Sequence, residues 1–125
     1  MQAFIPAHES VVRIFDQAIA GVPSIERREM FSYPCAFAHG QMLCGIFADR
    51  IMLRLIEADR AEFLQLPGAK IFEVMPGRAM REYVELPPAV MDSLTAFSHW
   101  LQRGLAYVAT LPAKEQKKSK SKTKK

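Results

Sequence analysis

The sequence predicts an α+β fold: a two-layer sandwich in which about five antiparallel strands are covered by an N-terminal helix, a short middle helix and a long C-terminal helix. Three observations predict it. Helical apolar periodicity occurs near both ends of the chain, and short strand-like segments separated by turn residues occupy the middle. In addition, 125 residues suffice for one hydrophobic core but not for two.

The N-terminal helix is predicted over residues 8–20, where apolar residues recur at intervals of three and four. These residues are Val11, Val12, Phe15, Ala18 and Ile19. Ser10 is the predicted N-cap, because a serine hydroxyl can accept a hydrogen bond from a first-turn amide. Gly21 and Pro23 end the helix, since neither residue type favours its continuation.

Three strands are predicted between residues 26 and 55, where apolar segments alternate with turn residues. Their bounds are residues 26–33, residues 36–38 continuing into 41–48, and residues 51–55, with breaks at Pro34, His39-Gly40 and Asp49-Arg50. If each arm of a hairpin is counted as a separate strand, the alternative prediction for the same region is four short strands.

Strict alternation along the middle strand assigns its side chains to two faces. Met42, Cys44, Ile46 and Ala48 would share one face, and Leu43, Gly45 and Phe47 would share the other. Both faces are largely apolar, so helices or a partner chain should cover much of the sheet.

The second half of the chain is predicted to contain a short helix, two strands and a long helix. The short helix covers residues 57–66, and strands over residues 69–74 and 81–86 are joined by the turn Met75-Pro76-Gly77. The last helix, residues 88–109, carries one apolar stripe that is predicted to be buried against the sheet. The stripe consists of Val90, Leu94, Phe97, Leu101, Leu105 and Val108, with Trp100 beside it.

Positive charge is concentrated at the C-terminus. Of 17 basic and 13 acidic residues, seven lysines and one glutamate lie in residues 114–125, which leaves ten basic and twelve acidic residues in the rest. Such a mildly acidic body is a poor match for a phosphate-binding groove.

We predict one folded domain over residues 1–112 and a disordered lysine-rich tail over residues 113–125. The tail lysines that could contact nucleic acid without sequence preference are Lys117, Lys118, Lys120, Lys122, Lys124 and Lys125.

Neither a membrane segment nor a secretion signal is predicted. No apolar run approaches the roughly 20 residues that cross a bilayer, and residues 1–10 lack the pattern of a signal peptide. We expect a cytoplasmic protein in which Cys35 and Cys44 are free thiols.

Cys35, His39 and Cys44 are the only residues that resemble a metal-binding set. Zinc needs four ligands, or three and a water, and here neither a second histidine nor a CxxC motif supports a metal. If His39-Gly40 is a two-residue hairpin loop, the cysteines lie directly opposite each other and a redox-sensitive contact is available; if Gly40-Gln41 is the loop, that pair is lost. Two small core residues are the simplest interpretation, and we expect neither a metal nor a cofactor.

No catalytic constellation is evident in the sequence. His99 is adjacent to Ser98, but neighbouring residues of a helix point to different sides. An enzyme with a pocket around Tyr33, His39 and Arg81 is a third hypothesis, after a binding module and a nucleic-acid-associated protein.

The strand glutamates are predicted to form cross-strand ion pairs, which are commoner than catalytic carboxylate pairs. The predicted partners are Arg81 or Arg54 for Glu29, and Arg28 for Glu82.

Several short motifs occur in a recognisable order along the chain. They are RREMFSYP at 27–34, Gly40, GIFADRIMLRL at 45–55, LPGA at 66–69, Phe72, MPGRAMREYV at 75–84, LP at 86–87 and Trp100-Leu101. Taken together over roughly residues 11–112, this order resembles the TfoX N-terminal domain family, the TfoX/Sxy-like proteins of bacteria. The resemblance implies a two-layer α/β domain with a long closing helix and without established catalytic residues.

The founding members of that family regulate natural competence and carry a second, C-terminal domain, which we do not expect in 125 residues. We therefore expect a non-enzymatic regulatory or protein-interaction module, with a homodimer formed by sheet or helix packing as one form of it. Aromatic and guanidinium groups are enriched at interfaces, and the predicted interaction surface consists of Arg28, Tyr33, Arg54, Arg78 and Arg81. The alternative is a nucleic-acid-associated protein that binds through its lysine tail.

Overall fold

The computed structural model describes residues 9–30, 33–75 and 77–111, and these residues form four helices and six strands. The helices are α1 (Glu9–Ala20), α2 (Glu57–Phe63), α3 (Pro88–Met91) and α4 (Leu94–Ala109). The strands are β1 (Glu26–Met30), β2 (Tyr33–Ala38), β3 (Gln41–Phe47), β4 (Arg50–Arg54), β5 (Lys70–Glu73) and β6 (Ala79–Glu85). All neighbouring strands are antiparallel, in the order β1-β2-β3-β4-β6-β5. The α+β prediction is confirmed, with six strands in place of about five.

The helices pack on one face of the sheet and form the main core with it. α1 and α4 contact each other and lie against β3 and β4. α2 lies on the same side, because the Phe63 ring is 4.9 Å from the Trp100 ring of α4. Phe15, Phe97 and Leu101 are fully buried between these layers. The apolar periodicity of both terminal helices is therefore explained by burial against the sheet.

The predicted C-terminal helix is two helices. α3 ends at Met91, and Ser93 is the N-cap of α4, because its Oγ accepts a hydrogen bond from the Ala96 amide at 3.1 Å. Ser93 has extended dihedral angles (φ −123°, ψ 108°), so the helical ladder cannot run through it. The break resets the helical phase, and Leu94 is 50% exposed instead of lying in the buried stripe.

The bounds of two other helices also differ from the predicted ones. Ser10 is inside the first turn of α1 and is not its N-cap, and the predicted start at residue 8 lies outside the described residues. α2 ends at Phe63, where the chain enters a turn in which the Leu66 amide donates to the Phe63 carbonyl. Among the helices of the described segments, none combines the length and the apolar character that a bilayer crossing requires.

Pro34 lies inside β2 and does not separate two strands as predicted. It pairs with Glu29 of β1, so the count of four short strands between residues 26 and 55 is correct. The ladder between β2 and β3 begins only at Cys35, so the missing amide of Pro34 costs no hydrogen bond to β3.

A β-bulge in β3 changes which side chains face the helices. The partners across β2 and β3 are Ala38↔Gln41, Phe37↔Met42, Ala36↔Cys44 and Cys35↔Gly45, so β3 contains one extra residue, Leu43. Leu43 and Cys44 both belong to the core beneath the helices, whereas Met42 packs beside Gly45 on the other face. The predicted strict alternation is therefore wrong for Met42 and Leu43, which exchange faces.

Candidate functional site

A small apolar cavity lies on the face of the sheet opposite the helices. Its volume is about 150 Å³, and every lining residue comes from a strand or from the β5–β6 connection. The wall contains three aromatic residues, Tyr33, Phe47 and Phe72, and four sulfur-containing residues, Cys35, Met42, Met52 and Met80. We call it the sulfur–aromatic cavity. Pockets for drug-sized ligands measure ~300–1,000 Å³, so this cavity fits a single side chain or a small ligand.

Aromatic contacts bring the two ends of the sheet together around this cavity. The centroid of the Phe47 ring of β3 lies 5.1 Å from that of Tyr33 in β2 and 6.3 Å from that of Phe72 in β5. β5 is separated from β3 by β4 and β6, so the contact requires the sheet to twist and curl. Tyr33 and Phe72 are buried at this face, and neither belongs to the core beneath the helices of the described segments.

Because Gly45 has no side chain, neighbouring side chains can pack directly over its backbone at the base of the cavity. A Cβ at this position would lie 2.8 Å from the methyl carbon of Met42, 3.1 Å from that of Met52 and 3.5 Å from Cys35 Cβ. These three side chains therefore converge over one residue that has no side chain. A glycine within a strand often marks such a close approach.

Arg50 covers one side of the aromatic cluster. Its guanidinium carbon lies 4.8 Å from the Phe72 ring centroid and 5.3 Å from that of Phe47. Its Nη1 donates to the Glu73 carbonyl at 2.9 Å and lies 3.3 Å from a carboxylate oxygen of Glu85. A cation over a ring face is favourable, so Arg50 stabilises the wall of the cavity while its charge is balanced by Glu85.

A polar network lies at the end of β4, next to α4. Arg54 Nε donates to Glu82 at 2.7 Å, and Nη1 donates to Gln41 Oε1 at 3.0 Å. Tyr107 of α4 donates to the second carboxylate oxygen of Glu82 at 3.1 Å. Desolvation acts to raise the pKa of Glu82, but the hydrogen bonds and charge of Arg54, together with the Tyr107 hydroxyl, hold it below the usual value. The network ties the sheet to the last helix.

The Met42 carbonyl beside the bulge is part of the same network. It accepts a hydrogen bond from the Tyr83 hydroxyl at 3.3 Å and one from Arg54 Nη1 at 3.4 Å. Burial raises the pKa of Tyr83 to about 12, so its hydroxyl stays protonated and remains a donor at neutral pH. These contacts position Met42, whose side chain lines the sulfur–aromatic cavity.

The five residues predicted as one interaction surface are distributed over the sheet. Arg28 is exposed on the edge strand β1, whereas Tyr33 is 7% exposed and lines the cavity. The Arg54 side chain is 16% exposed and belongs to the polar network. Arg78 and Arg81 are exposed at the β5–β6 end of the sheet. Of the five, only Tyr33 lines the sulfur–aromatic cavity, and the predicted tail lysines lie outside the described residues.

The residues of the hypothetical enzyme pocket are not neighbours along one cleft. His39 is exposed in the β2–β3 hairpin loop, Arg81 is exposed on β6 and Tyr33 faces the apolar cavity. His99 is also exposed, with its ring 5.3 Å from that of Trp100.

Cys35 and Cys44 are buried free thiols. Cys44 belongs to the core beneath the helices, whereas Cys35 lines the cavity on the other face. His39-Gly40 is the two-residue loop, and both residues have positive φ (54° and 76°). The bulge nevertheless pairs Cys35 with Gly45, so the direct opposition expected for this loop is wrong. Burial raises the pKa of both thiols. Within the described segments, no group of three or more histidine, cysteine, aspartate or glutamate residues is placed to bind a metal.

The predicted cross-strand ion pairs are wrong because they join strands that are not neighbours. β1 pairs only with β2, so Glu29 cannot face Arg81 or Arg54, and Glu82 of β6 cannot face Arg28. Glu82 pairs with Arg54 of the adjacent strand β4 instead.

The methionines of the cavity were not predicted as site residues. Met42, Met52 and Met80 are far apart in sequence, and methionine fills core gaps in many proteins. The available signal was Gly45, because a glycine inside an apolar strand indicates close approach of other groups.

The profile of the TfoX N-terminal domain matches residues 17–108 of the chain. This range contains all six strands, α2, α3 and most of α4, and therefore the complete sulfur–aromatic cavity. A search among curated proteins found no match.

Proposed function

The chain belongs to the TfoX N-terminal domain family, and from this premise we propose that it is a non-enzymatic regulatory module that acts in the cytoplasm by binding a partner protein. The proposed binding surface is the sheet face that carries the sulfur–aromatic cavity.

One observation carries the proposal: an apolar cavity with a partly exposed rim lies on the face of the sheet away from the helices. Phe47, Val74 and Met80 are half-buried there, and the nearby Met75 is 55% exposed. Aromatic residues, methionine and arginine are enriched at protein interfaces, and methionine adapts to differently shaped partners. A cavity of about 150 Å³ has the size for one apolar anchor side chain of a partner.

A pair of charge-matched variants tests this function. Met80→Glu places a carboxylate on the rim of the cavity, and Gln102→Glu places one on the exposed side of α4. We expect proteins captured by the wild-type chain from its native extract to be lost with Met80→Glu, because a buried unpaired charge is costly, and retained with Gln102→Glu. Circular dichroism establishes that both variants are folded. Identical capture by both variants would contradict the proposed surface.

The same two variants test a second copy of the chain as the partner. If the sheet face forms a homodimer, sedimentation equilibrium of the wild-type chain and of Gln102→Glu should give a dimer, and Met80→Glu should give a monomer. A dimer that survives Met80→Glu would place its interface elsewhere.

The lysine content of the C-terminus supports nucleic-acid association as a second candidate. Seven lysines lie in the last twelve residues, and lysines bind phosphates with little sequence preference by releasing counterions. We expect replacement of the six lysines between residues 117 and 125 by glutamine to abolish binding to mixed-sequence RNA and DNA, and the wild-type affinity to fall steeply with salt. Binding that survives this replacement would instead implicate the mildly acidic body.

A further inference from the structure

Four sulfur-containing side chains from four different strands line the sulfur–aromatic cavity: Cys35, Met42, Met52 and Met80. The methyl carbons of Met42 and Met52 and the Cβ of Cys35 lie within 3.5 Å of the position where a Gly45 Cβ would stand. The Cys35 Cβ and the methyl carbons of Met42 and Met52 therefore meet above Gly45, and Met80 lines the same small cavity.

The donor set is selective for soft metal ions. Thiolate and thioether sulfurs favour Cu(I), whereas magnesium and calcium take oxygen ligands and zinc takes nitrogen, oxygen or thiolate. Among the described residues that line this cavity, none carries a carboxylate or an imidazole. The chemistry of the wall therefore excludes the common hard cations.

The charge balance also favours a monovalent ion. Burying an uncompensated charge in an apolar site is costly, but one Cu⁺ bound to one thiolate is neutral, and thioethers add no charge. A divalent ion on the same ligands would leave a net positive charge in an apolar cavity. The rings of Tyr33 and Phe47 lie beside the site, where aromatic faces attract cations and exclude water.

We propose that the sulfur–aromatic cavity is a Cu(I) site, in which the Cys35 thiolate and the thioether sulfurs of Met42 and Met52 bind the ion, with Met80 as the remaining sulfur ligand. On binding, the S–H bond of Cys35 breaks, a Cu–S bond forms and the proton passes to solvent. Copper stays in the +1 state, so the step needs neither an oxidant nor a reductant.

This inference does not rest on the proposed function, because its test needs only the purified chain and the ion. The full-length protein, with its methionine methyl groups labelled with ¹³C, is titrated anaerobically with Cu(I) in competition with a chromophoric Cu(I) chelator. We expect one ion and one released proton per chain, and shifts in the methyl signals of Met42, Met52 and Met80. The Met91 signal, from α3 on the helix side, should not move.

Variants locate the ligands. Met42→Leu/Met52→Leu conserves apolar volume, which cores usually tolerate, and Cys35→Ser removes the thiolate. We expect each to weaken Cu(I) binding by at least the roughly 10- to 100-fold that the loss of an outer-shell partner of a metal ligand costs, whereas Met91→Leu should bind like the wild type. The proposal is overturned if the chelator removes all copper from the wild-type chain, if the Met91 signal shifts as much as the cavity methionines, or if the double variant retains wild-type affinity. The methyl shifts are measured on the wild-type chain, so they decide the question even if a variant fails to fold.

Discussion

Gly104 shows how closely α4 approaches the sheet. A Cβ at this position would lie 2.6 Å from the Arg54 carbonyl oxygen and 2.9 Å from Leu43 Cδ1. The Arg54 carbonyl oxygen belongs to the backbone and cannot rotate away, so this packing requires glycine at position 104. The same helix position would otherwise favour alanine by roughly 1 kcal/mol.

Gly104→Ala is predicted to destabilise the protein. Overpacking by a methyl group costs about 1–3 kcal/mol, and the backbone contact places this site in the upper part of that range, above the gain in helix propensity. Urea unfolding measures the free energy. Gly21→Ala is the matched control, because a Cβ there meets nothing within 4 Å. Equal stability of the two variants would contradict the close approach.

Glu82 gives the stability a dependence on pH. Although desolvation opposes the shift, Arg54 and Tyr107 hold the pKa of this carboxyl below the usual value for glutamate. A carboxyl whose pKa is lower in the folded chain contributes stability above its unfolded pKa and loses that contribution as the pH falls through the folded pKa. We therefore expect Glu82→Gln to be less stable than the wild type at pH 7, and the difference to shrink below pH 4.5.

Urea unfolding of both chains across this pH range measures the effect of Glu82. Tyr107→Phe removes one of the two hydrogen-bond donors to Glu82 and should reduce the pH dependence only in part. If the difference in unfolding free energy between the two chains stayed constant from pH 7 to the lowest pH of the series, the Glu82 charge would not contribute to stability.

The local sequence signals predicted whether a segment is a helix or a strand better than they predicted where it begins and ends. Glycine and proline marked most turns correctly, because their backbone preferences act locally. The break before α4 was missed although Ser93 is a good N-cap, because the apolar spacing runs on from Val90 to Leu94 as if one helix continued. The bulge in β3 was also missed, since an inserted residue leaves no mark on composition.

Ser93→Ala is predicted to destabilise the start of α4. The substitution removes the hydrogen bond between Ser93 Oγ and the Ala96 amide, and the loss of an N-cap costs about 1 kcal/mol. Thr95→Ala, at an exposed position in the first turn of α4, is the control and should change the unfolding free energy by less than about 0.5 kcal/mol. If the two variants were equally stable, Ser93 would not act as the cap.

The curl of the whole sheet depends on contacts between residues that are distant in strand order. Phe47 joins Tyr33 near one end to Phe72 at the other, and Arg50 lies against two of the three rings. The helix side is held by a conventional core, so this second cluster is what closes the sulfur–aromatic cavity.

Phe47→Ala is predicted to loosen both ends of the sheet at once. We expect faster amide hydrogen exchange at Cys35 and around Phe72, with a loss of about 1–3 kcal/mol, less than for a fully buried phenylalanine. Phe37→Ala is the control, because Phe37 is also half-buried but contacts Arg28 on the edge strand side. Faster exchange confined to one end would contradict the bridging role of Phe47.

Periodicity, turn residues and motif order were sufficient to predict the α+β class, the terminal helices, the strand break at His39-Gly40 and the family. These properties depend on short-range backbone preferences and on the burial of one face of each element. Tertiary structure alone decided the strand order, the register across the bulge and the partners of Glu82, because each depends on which distant segments become neighbours. The sulfur–aromatic cavity belongs to this second group: its methionines lie on three strands, and the order and curl of the strands bring them into one cavity.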